Sequence, residues 1–449
     1  MKPIVAIIGR PNVGKSTLFN RIVVDRAAIV ERESGVTRDR IYADAEWLGR
    51  QFIIVDTGGL GSESDDFATL IEEQAKAAVQ EADAIIMLVD ARAGLLPGDQ
   101  EVADLLRRSG KPVLVVANKA ETERLRQTSQ EFFALGLGDP IAISAAHGMG
   151  VGDMLDDVIE SLPAQAEGDQ DDVPAQLPTF AVIGRPNVGK SSLVNALLGA
   201  RRVITSEVPG TTRDTIRAEF EFEGQTIAVI DTAGLRRPSR VEPGLERFSA
   251  MRSLRAVQEA DVVWLLIDVE QGISEQERRM AGYVAESGRG LVIVLNKIDL
   301  LDRPAGELSA AQDKVRQELY FVPWAPMVAV SALTGEHLAR LVRAGLSIVQ
   351  GRNRQIERGE LTALVRDACL LRPPGSYRGR PIRYLGAEQL PGLPPAVAIY
   401  FDYPQVVAST YLRYIENRLR EAYSFAGSPL RIIARSKERR ERKPAPAEE

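Results

Sequence analysis

The chain has 449 residues, 45% of them hydrophobic and 26% charged, with a net charge of −6. These are ordinary figures for a soluble globular protein long enough for two or three domains. One cysteine, Cys369, and two histidines, His147 and His337, exclude an internal disulfide framework and a Cys/His metal centre.

No apolar run approaches the about 20 residues that span a bilayer. The apolar N-terminus KPIVAIIG is too short for a secretory signal and runs straight into a motif. A reducing cytoplasmic setting is expected. Residues 351–449 hold 18 Lys/Arg against 11 Asp/Glu, a balance of +7, which leaves −13 for the rest. A basic end on an acidic body suits a nucleic-acid or acidic partner, although charge alone also fits a solvated tail.

In chain order, the first predicted strand (IVAIIG) ends in GRPNVGKS at 9–16. Strand, GxxxxGK[ST], then helix is a phosphate-binding loop. Gly9 and Gly14 let the backbone curl, so that Asn12, Val13 and Gly14 turn amides toward phosphates. Lys15 is expected to reach the β/γ oxygens and Ser16 to ligate Mg²⁺, with Thr17 opening the helix whose positive end faces the anion. Thr37 follows in SGVTRD, a loop where a threonine can close onto Mg²⁺ and the γ-phosphate as a switch. An isolated loop threonine is otherwise a turn residue.

Strand FIIVDT ends at Asp56, expected to hold Mg²⁺ through water, with Gly59 of DTGG sensing the γ-phosphate. A helix is predicted over 67–82. Strands AIIMLVD, VLVVANK and IAISA come next, the last two delivering Asn118, Lys119 and Glu121, then Ser144 and Ala145. In an NKxD motif the acid accepts hydrogen bonds from guanine N1 and the 2-amino group. Adenine would leave it without donors, a mismatch worth about 10⁴-fold in rejection. Here the acid is Glu121, with the same chemistry on a longer arm.

The same landmarks then return. Gly184, Thr212 and Asp231 stand 175 residues after Gly9, Thr37 and Asp56; Asn296 stands 178 after Asn118, and Ser331 stands 187 after Ser144. This is a duplicated domain. Gly184, Asn187, Val188, Gly189, Lys190, Ser191 and Ser192 repeat the phosphate loop. Thr212, Asp231 and Gly234 repeat the switch elements. Asn296, Lys297, Asp299, Ser331 and Ala332 repeat the base loops. Val/Ile-rich strands alternating with helices, among them 244–260, predict a mostly parallel sheet with helices on both faces and ligands at the strands' carboxyl ends. Expected boundaries are 1–162 and 179–352 for the two halves, 163–178 for an acidic flexible linker, 353–435 for a third domain and 436–449 for a basic disordered tail.

Phosphate loop, switch threonine, DxxG, NKxD and SA, in this order and twice over, resemble the translation-factor-related GTPases. The tandem arrangement with a basic C-terminal part is similar to the EngA (Der) family. That resemblance covers almost the whole chain. It implies two P-loop GTPase domains and a KH-like domain, GTP/GDP with Mg²⁺, and a part in assembling the large ribosomal subunit through rRNA-containing particles. A monomer without membrane attachment is expected. In the third domain, helices are predicted at 360–370 and 405–422 and strands at 381–386, 397–403 and 430–434. Val406, Tyr411, Tyr414, Ile415, Leu419 and Tyr423 form the second helix's apolar face, read as core rather than as a stacking platform. No GxxG occurs from 351 onward, so RNA contact there needs another surface.

A glutamine after DxxG would position the attacking water, but Leu60 and Leu235 stand there. The resemblance implies instead that Asn12 and Asn187 bind K⁺ against the phosphates; asparagine also simply suits a turn. Arg38 and Arg213, beside the switch threonines, rank below K⁺ as charge-neutralising fingers. The segment after Leu60 is acidic (GSESDD) and that after Leu235 basic (RRPSR), which suggests different contacts for Arg236 and Arg237. Two alternatives compete. A tRNA-modifying GTPase of the MnmE kind needs a C-terminal catalytic cysteine, whereas Cys369 reads as a core residue. A non-catalytic nucleotide-gated scaffold is the other. His147 and His337, near the SA loops, are expected to be exposed.

Overall fold

A computed structural model describes residues 2–24, 42–57, 79, 81–163, 177–199, 203–204, 217–231, 249–302 and 304–436. Thr37, Arg38, Gly59, Leu60, Thr212, Arg213, Gly234, Leu235, Arg236 and Arg237 lie outside the described residues. So do most of the helix expected at 67–82, the linker core 164–176 and the tail from 437.

The first sheet has the order β2-β3-β1-β4-β5-β6. Its strands are β1 (Ile4–Ile8), β2 (Tyr42–Trp47), β3 (Arg50–Asp56), β4 (Ala84–Asp90), β5 (Val113–Asn118) and β6 (Ile141–Ala142). All pairings are parallel except β2 on β3. The sequence explains the difference. In β1 every residue of IVAII is buried, as two covered faces require. In β2, YADAEW shows exposed positions between buried ones, the mark of an edge with one wet face. Helices α1 (Lys15–Val24), α2 (Pro97–Arg107), α3 (Glu123–Thr128) and α4 (Val151–Ser161) complete the described part of this half. Leu18, Phe19, Met154 and Val158 join Val5, Phe52 and Ile86 in one core.

The second sheet runs β13-β12-β11-β7-β10-β9-β8. It comprises β7 (Thr179–Ile183), β8 (Val203–Ile204), β9 (Arg217–Phe222), β10 (Gln225–Asp231), β11 (Val262–Asp268), β12 (Gly290–Asn296) and β13 (Met327–Ala329). The central strands are again parallel and wholly buried, and β9 again pairs antiparallel. Helices α5 (Lys190–Gly199), α6 (Ser249–Glu259), α7 (Glu275–Glu286), α8 (Pro304–Glu318) and α9 (Leu338–Arg352) accompany it in the chain. The chain divides into two compact units, and α6 falls in the first. There Arg252 Nε donates to Glu81 Oε1 at 2.6 Å, and Gln258 Oε1 accepts from the Lys2 amide at 2.9 Å.

The third domain follows α9 within the second unit. Helices α10 (Arg358–Leu371) and α11 (Ser409–Ala422) accompany a short hairpin, β14 (Ser376–Tyr377) with β15 (Arg380–Pro381). The main sheet, β16-β17-β18, is made of β16 (Tyr384–Leu390), β17 (Ala396–Phe401) and β18 (Arg431–Ser436). β16 begins three residues later than expected because 380–381 belong to the hairpin. The helix expected from 405 begins at Ser409, since Pro404–Val406 form a 3-10 turn, and Val406 is exposed rather than core. Tyr411, Ile415 and Leu419 are buried with Leu361, Val365 and Phe401, as an apolar helical face requires. Cys369 is buried among them, and burial pushes its thiol pKa up, which keeps it un-ionised and inert.

This domain is joined to the second sheet through backbone. The Leu291 amide donates to Gly427 O and the Gly427 amide to Trp324 O, both at 2.8 Å. Gly427 has φ +72°, and a Cβ there would sit 2.2 Å from Ile348 Cδ1. Arg352 at the end of α9 is buried and donates to Asp261 O and to Gly288 O. Burial depresses its pKa to about 10, and the Arg289 charge adds to that. Gly427→Ala is therefore expected to cost about 2 kcal/mol or more through overpacking and a disfavoured φ. Gly359→Ala, where the added carbon meets only ordinary contact, should be near neutral. Urea unfolding midpoints of the two variants check this.

Candidate nucleotide-binding sites

In the first half, the loop between β1 and α1 passes close to the neighbouring strand. A Cβ on Gly9 would lie 2.2 Å from Leu88 O, and one on Gly14 (φ +102°) 2.3 Å from Asn118 Nδ2. Only glycine fits at either place. Asn12 takes a left-handed backbone (φ 64°), which asparagine tolerates better than most residues. Lys15 opens α1, and its Nζ donates to Gly9 O at 2.7 Å and to Arg10 O at 2.9 Å. Burial lowers the pKa of this ammonium, and the Asp56 charge opposes that. An anion held by the loop would supply the same compensation more fully.

Ser16 Oγ donates to Asp56 Oδ2 at 2.6 Å, so the hydroxyl after the lysine and the acid ending β3 meet. Two hard oxygens, one from each element, are the kind of partial set Mg²⁺ accepts when phosphate and water complete its shell. Among the described residues no cluster of three or more His, Cys, Asp or Glu could hold a metal unaided. Thr17 is exposed beside Ser16, and Val13 is buried beneath the loop.

The base loops meet the phosphate loop through one side chain. Asn118 Nδ2 donates to Val13 O at 2.8 Å, and its Oδ1 accepts from the Ala145 amide at 2.9 Å. Lys119 Nζ donates to Asn12 O at 2.6 Å and pairs with Asp90 at 2.7 Å. Glu121 accepts from Ser144 Oγ at 3.3 Å and from Arg92 Nη2 at 2.9 Å. Burial pushes the Glu121 carboxyl up, but the bonds from Arg92, from its own backbone amide and from Ser144 outweigh that, so its pKa lies below the ordinary value.

The second half repeats the construction. Lys190 Nζ donates to Gly184 O and Arg185 O at 2.8 and 2.7 Å. A Cβ on Gly189 would sit 2.3 Å from Asn296 Nδ2, and one on Gly184 2.6 Å from Leu266 O. Asn187 has φ 62°. Asn296 bridges Val188 O at 2.8 Å and the Ala332 amide at 2.9 Å. Lys297 pairs with Asp268 at 2.7 Å, and Asp299 Oδ1 accepts from Ser331 Oγ at 2.5 Å. Ser191 and Ser192 follow Lys190 in the first turn of α5, and Asp231 ends β10.

Several contributors escape a reading of motifs alone. Asp90 and Asp268 hold the base-loop lysines. Burial raises their pKa, but the bond and charge of the lysine together with bonds from backbone amides outweigh it and leave both lowered. The signal was present: each acid ends an apolar strand, 178 residues apart, the offset of the NKxx motifs. Arg10 of the loop pairs with buried Asp99 at 2.7 Å, and Arg185 with buried Glu277 at 3.4 Å. His147 and His337 are exposed, with His147 Nδ1 2.9 Å from Ser144 Oγ.

The family described as 50S ribosome-binding GTPase matches residues 4–119 and again 179–297. The KH-domain-like family of EngA bacterial GTPase enzymes matches 355–435. GTPase Der of Pelotomaculum thermopropionicum is 48% identical over 438 residues, 97% of this chain and 99% of that protein. GTPase Der of Moorella thermoacetica is 48% identical over 435 residues, 97% of this chain and 98% of that protein. A solved structure of Aquifex aeolicus Era bound to GDP.AlF4- is 23% identical with a TM-score of 0.30, covering 58% of this chain and 93% of that one. Among the described residues no helix is long and apolar enough to cross a membrane. With both halves and the C-terminal domain matched by these families, and Der proteins about half identical over nearly the whole chain, the chain belongs to the Der (EngA) family of tandem GTPases.

Proposed function

We propose that this protein is a cytoplasmic, monomeric GTP-hydrolysing switch that docks on precursors of the large ribosomal subunit according to its bound nucleotide. The observation that carries the reading is the duplicated cage, in which Asn118 and Asn296 each tie a phosphate loop to a guanine-type base loop. The description of the family matching both halves, 50S ribosome-binding GTPase, supports the ribosomal destination. The basic C-terminal domain supports contact with rRNA.

In this reading Lys15 and Lys190 leave their loop carbonyls for the β/γ oxygens, and the loop amides from Gly9 and Gly184 onward hold the phosphates. Ser16 and Thr37, with Ser191 and Thr212, would hold Mg²⁺, and Asp56 and Asp231 would do so through water; the ion would neutralise phosphate charge. Gly59 and Gly234 report the γ-phosphate. Glu121 and Asp299 select guanine, flanked by Lys119 and Lys297. Domain limits of 1–162, 179–352 and 353–435 fit this division of labour.

Leu60 and Leu235 can neither donate nor accept a hydrogen bond, so hydrolysis by the chain alone is slow. Asn12 and Asn187 stand at exposed loop positions and can help hold K⁺ beside the phosphates. The left-handed turn accounts for asparagine there as well, and the cation experiment separates the two.

Replacing Lys15 and Lys190 together by Ala should abolish GTP retention on a filter, and full retention would overturn the nucleotide-binding reading. Exchanging Na⁺ for K⁺ should raise phosphate release by about tenfold or more. Asn187→Ala in a Lys15→Ala background should lose that gain. In sedimentation with ribosomal particles, one nucleotide state should co-migrate preferentially with large subunits; equal migration in both states would exclude the switch.

A further inference from the structure

The two base loops differ in one respect that the duplication makes visible. The second uses Asp299, with Ser331 as its donor, and no other described residue donates to that carboxylate. The first uses a longer glutamate and surrounds it differently. We propose that Arg92 is a positioning residue for guanine selection at the first site, holding the Glu121 carboxylate where the shorter Asp299 needs no such support. This rests on the guanine reading of that site given above.

Glutamate carries one more side-chain torsion than aspartate, so its carboxylate sweeps a larger volume and loses more freedom when fixed. Reading guanine requires two oxygens in one plane, facing N1–H and the 2-amino group. Two side chains donate to the Glu121 carboxylate, Ser144 Oγ to Oε1 and Arg92 Nη2 to Oε2, beside its own backbone amide. That pair of bonds sets the plane. A carboxylate offers about four acceptor sites on its two oxygens, more than these donors occupy, so it remains able to receive a base donor.

The Arg92 backbone is itself anchored. Its amide donates to Asp90 Oδ1 at 2.9 Å, while Asp90 Oδ2 holds Lys119 at 2.7 Å. One acid at the end of β4 thus holds both the base-loop lysine and the backbone of the arginine that follows β4. In the second half Asp268 plays the same part, and the Glu270 amide donates to its Oδ1 at 3.0 Å. Glu270 therefore occupies the place of Arg92, and a carboxylate there cannot donate to Asp299. The longer acid occurs with the arginine, and the shorter acid without it.

The test uses the full chain carrying Lys190→Ala, so that the first site alone is read. GDP and IDP are titrated; inosine keeps N1–H but lacks the 2-amino group. Arg92→Ala should weaken GDP binding about fivefold, the scale of a partly exposed ion pair, and IDP less, so the GDP/IDP affinity ratio falls. Arg92→Lys should recover part of the ratio. In a Glu121→Asp background, Arg92→Ala should change the ratio little. A purely structural role would lower both affinities together. An unchanged ratio in Arg92→Ala, or an equal fall in the Glu121→Asp background, overturns the proposal while the guanine reading stands. A parent that binds GDP no better than ADP overturns the guanine reading and the proposal with it.

Discussion

The amide group of one asparagine in each half is the constraint on which the site depends. Asn118 donates to the phosphate loop and accepts from the SA loop, and Asn296 does the same. Both asparagines are almost fully buried, where a lost partner would cost about 1–3 kcal/mol. Their close approach also dictates the loop's chemistry, because Gly14 and Gly189 leave no room for a side chain against them. Three segments distant in sequence are thereby held at one end of a parallel sheet, as ligand sites in such sheets require.

The rest of each cage is a set of charged groups held by buried or half-buried partners. Arg10 leans on Asp99, Lys119 on Asp90 and Lys297 on Asp268. These pairs orient the charged side chains around the loop. The two copies agree closely in this framework and diverge at the acid closing the NKxx motif, Glu121 against Asp299. A duplicated protein therefore carries an internal control, since the same backbone supports two side-chain solutions.

The C-terminal domain adds a different kind of constraint. It meets the second sheet by main-chain hydrogen bonds at Gly427 and by Arg420 stacked 5.8 Å from the Trp324 ring. Side-chain substitutions can tune such a joint, but its backbone bonds depend on the turn at Gly427. The tyrosines Tyr411 and Tyr414 serve this domain's own packing, with their hydroxyls donated to Arg372 O and Ala368 O.

Much of this was legible in the residues themselves. The phosphate loops, the NKxx and SA motifs and the repeat are contiguous or constant in spacing, because curling a backbone around an anion is a local act. The central strands were legible because burial on both faces demands unbroken apolar runs. The start of α11 was not, since Pro404–Val406 carry helical-looking spacing yet close into a 3-10 turn. Nor was the start of β16, displaced by a hairpin. Arg92 against Glu121, Arg10 against Asp99 and Gly427 against Ile348 needed the tertiary structure. Each joins residues on separate elements, and no local pattern records which side chains two packed elements will bring within reach.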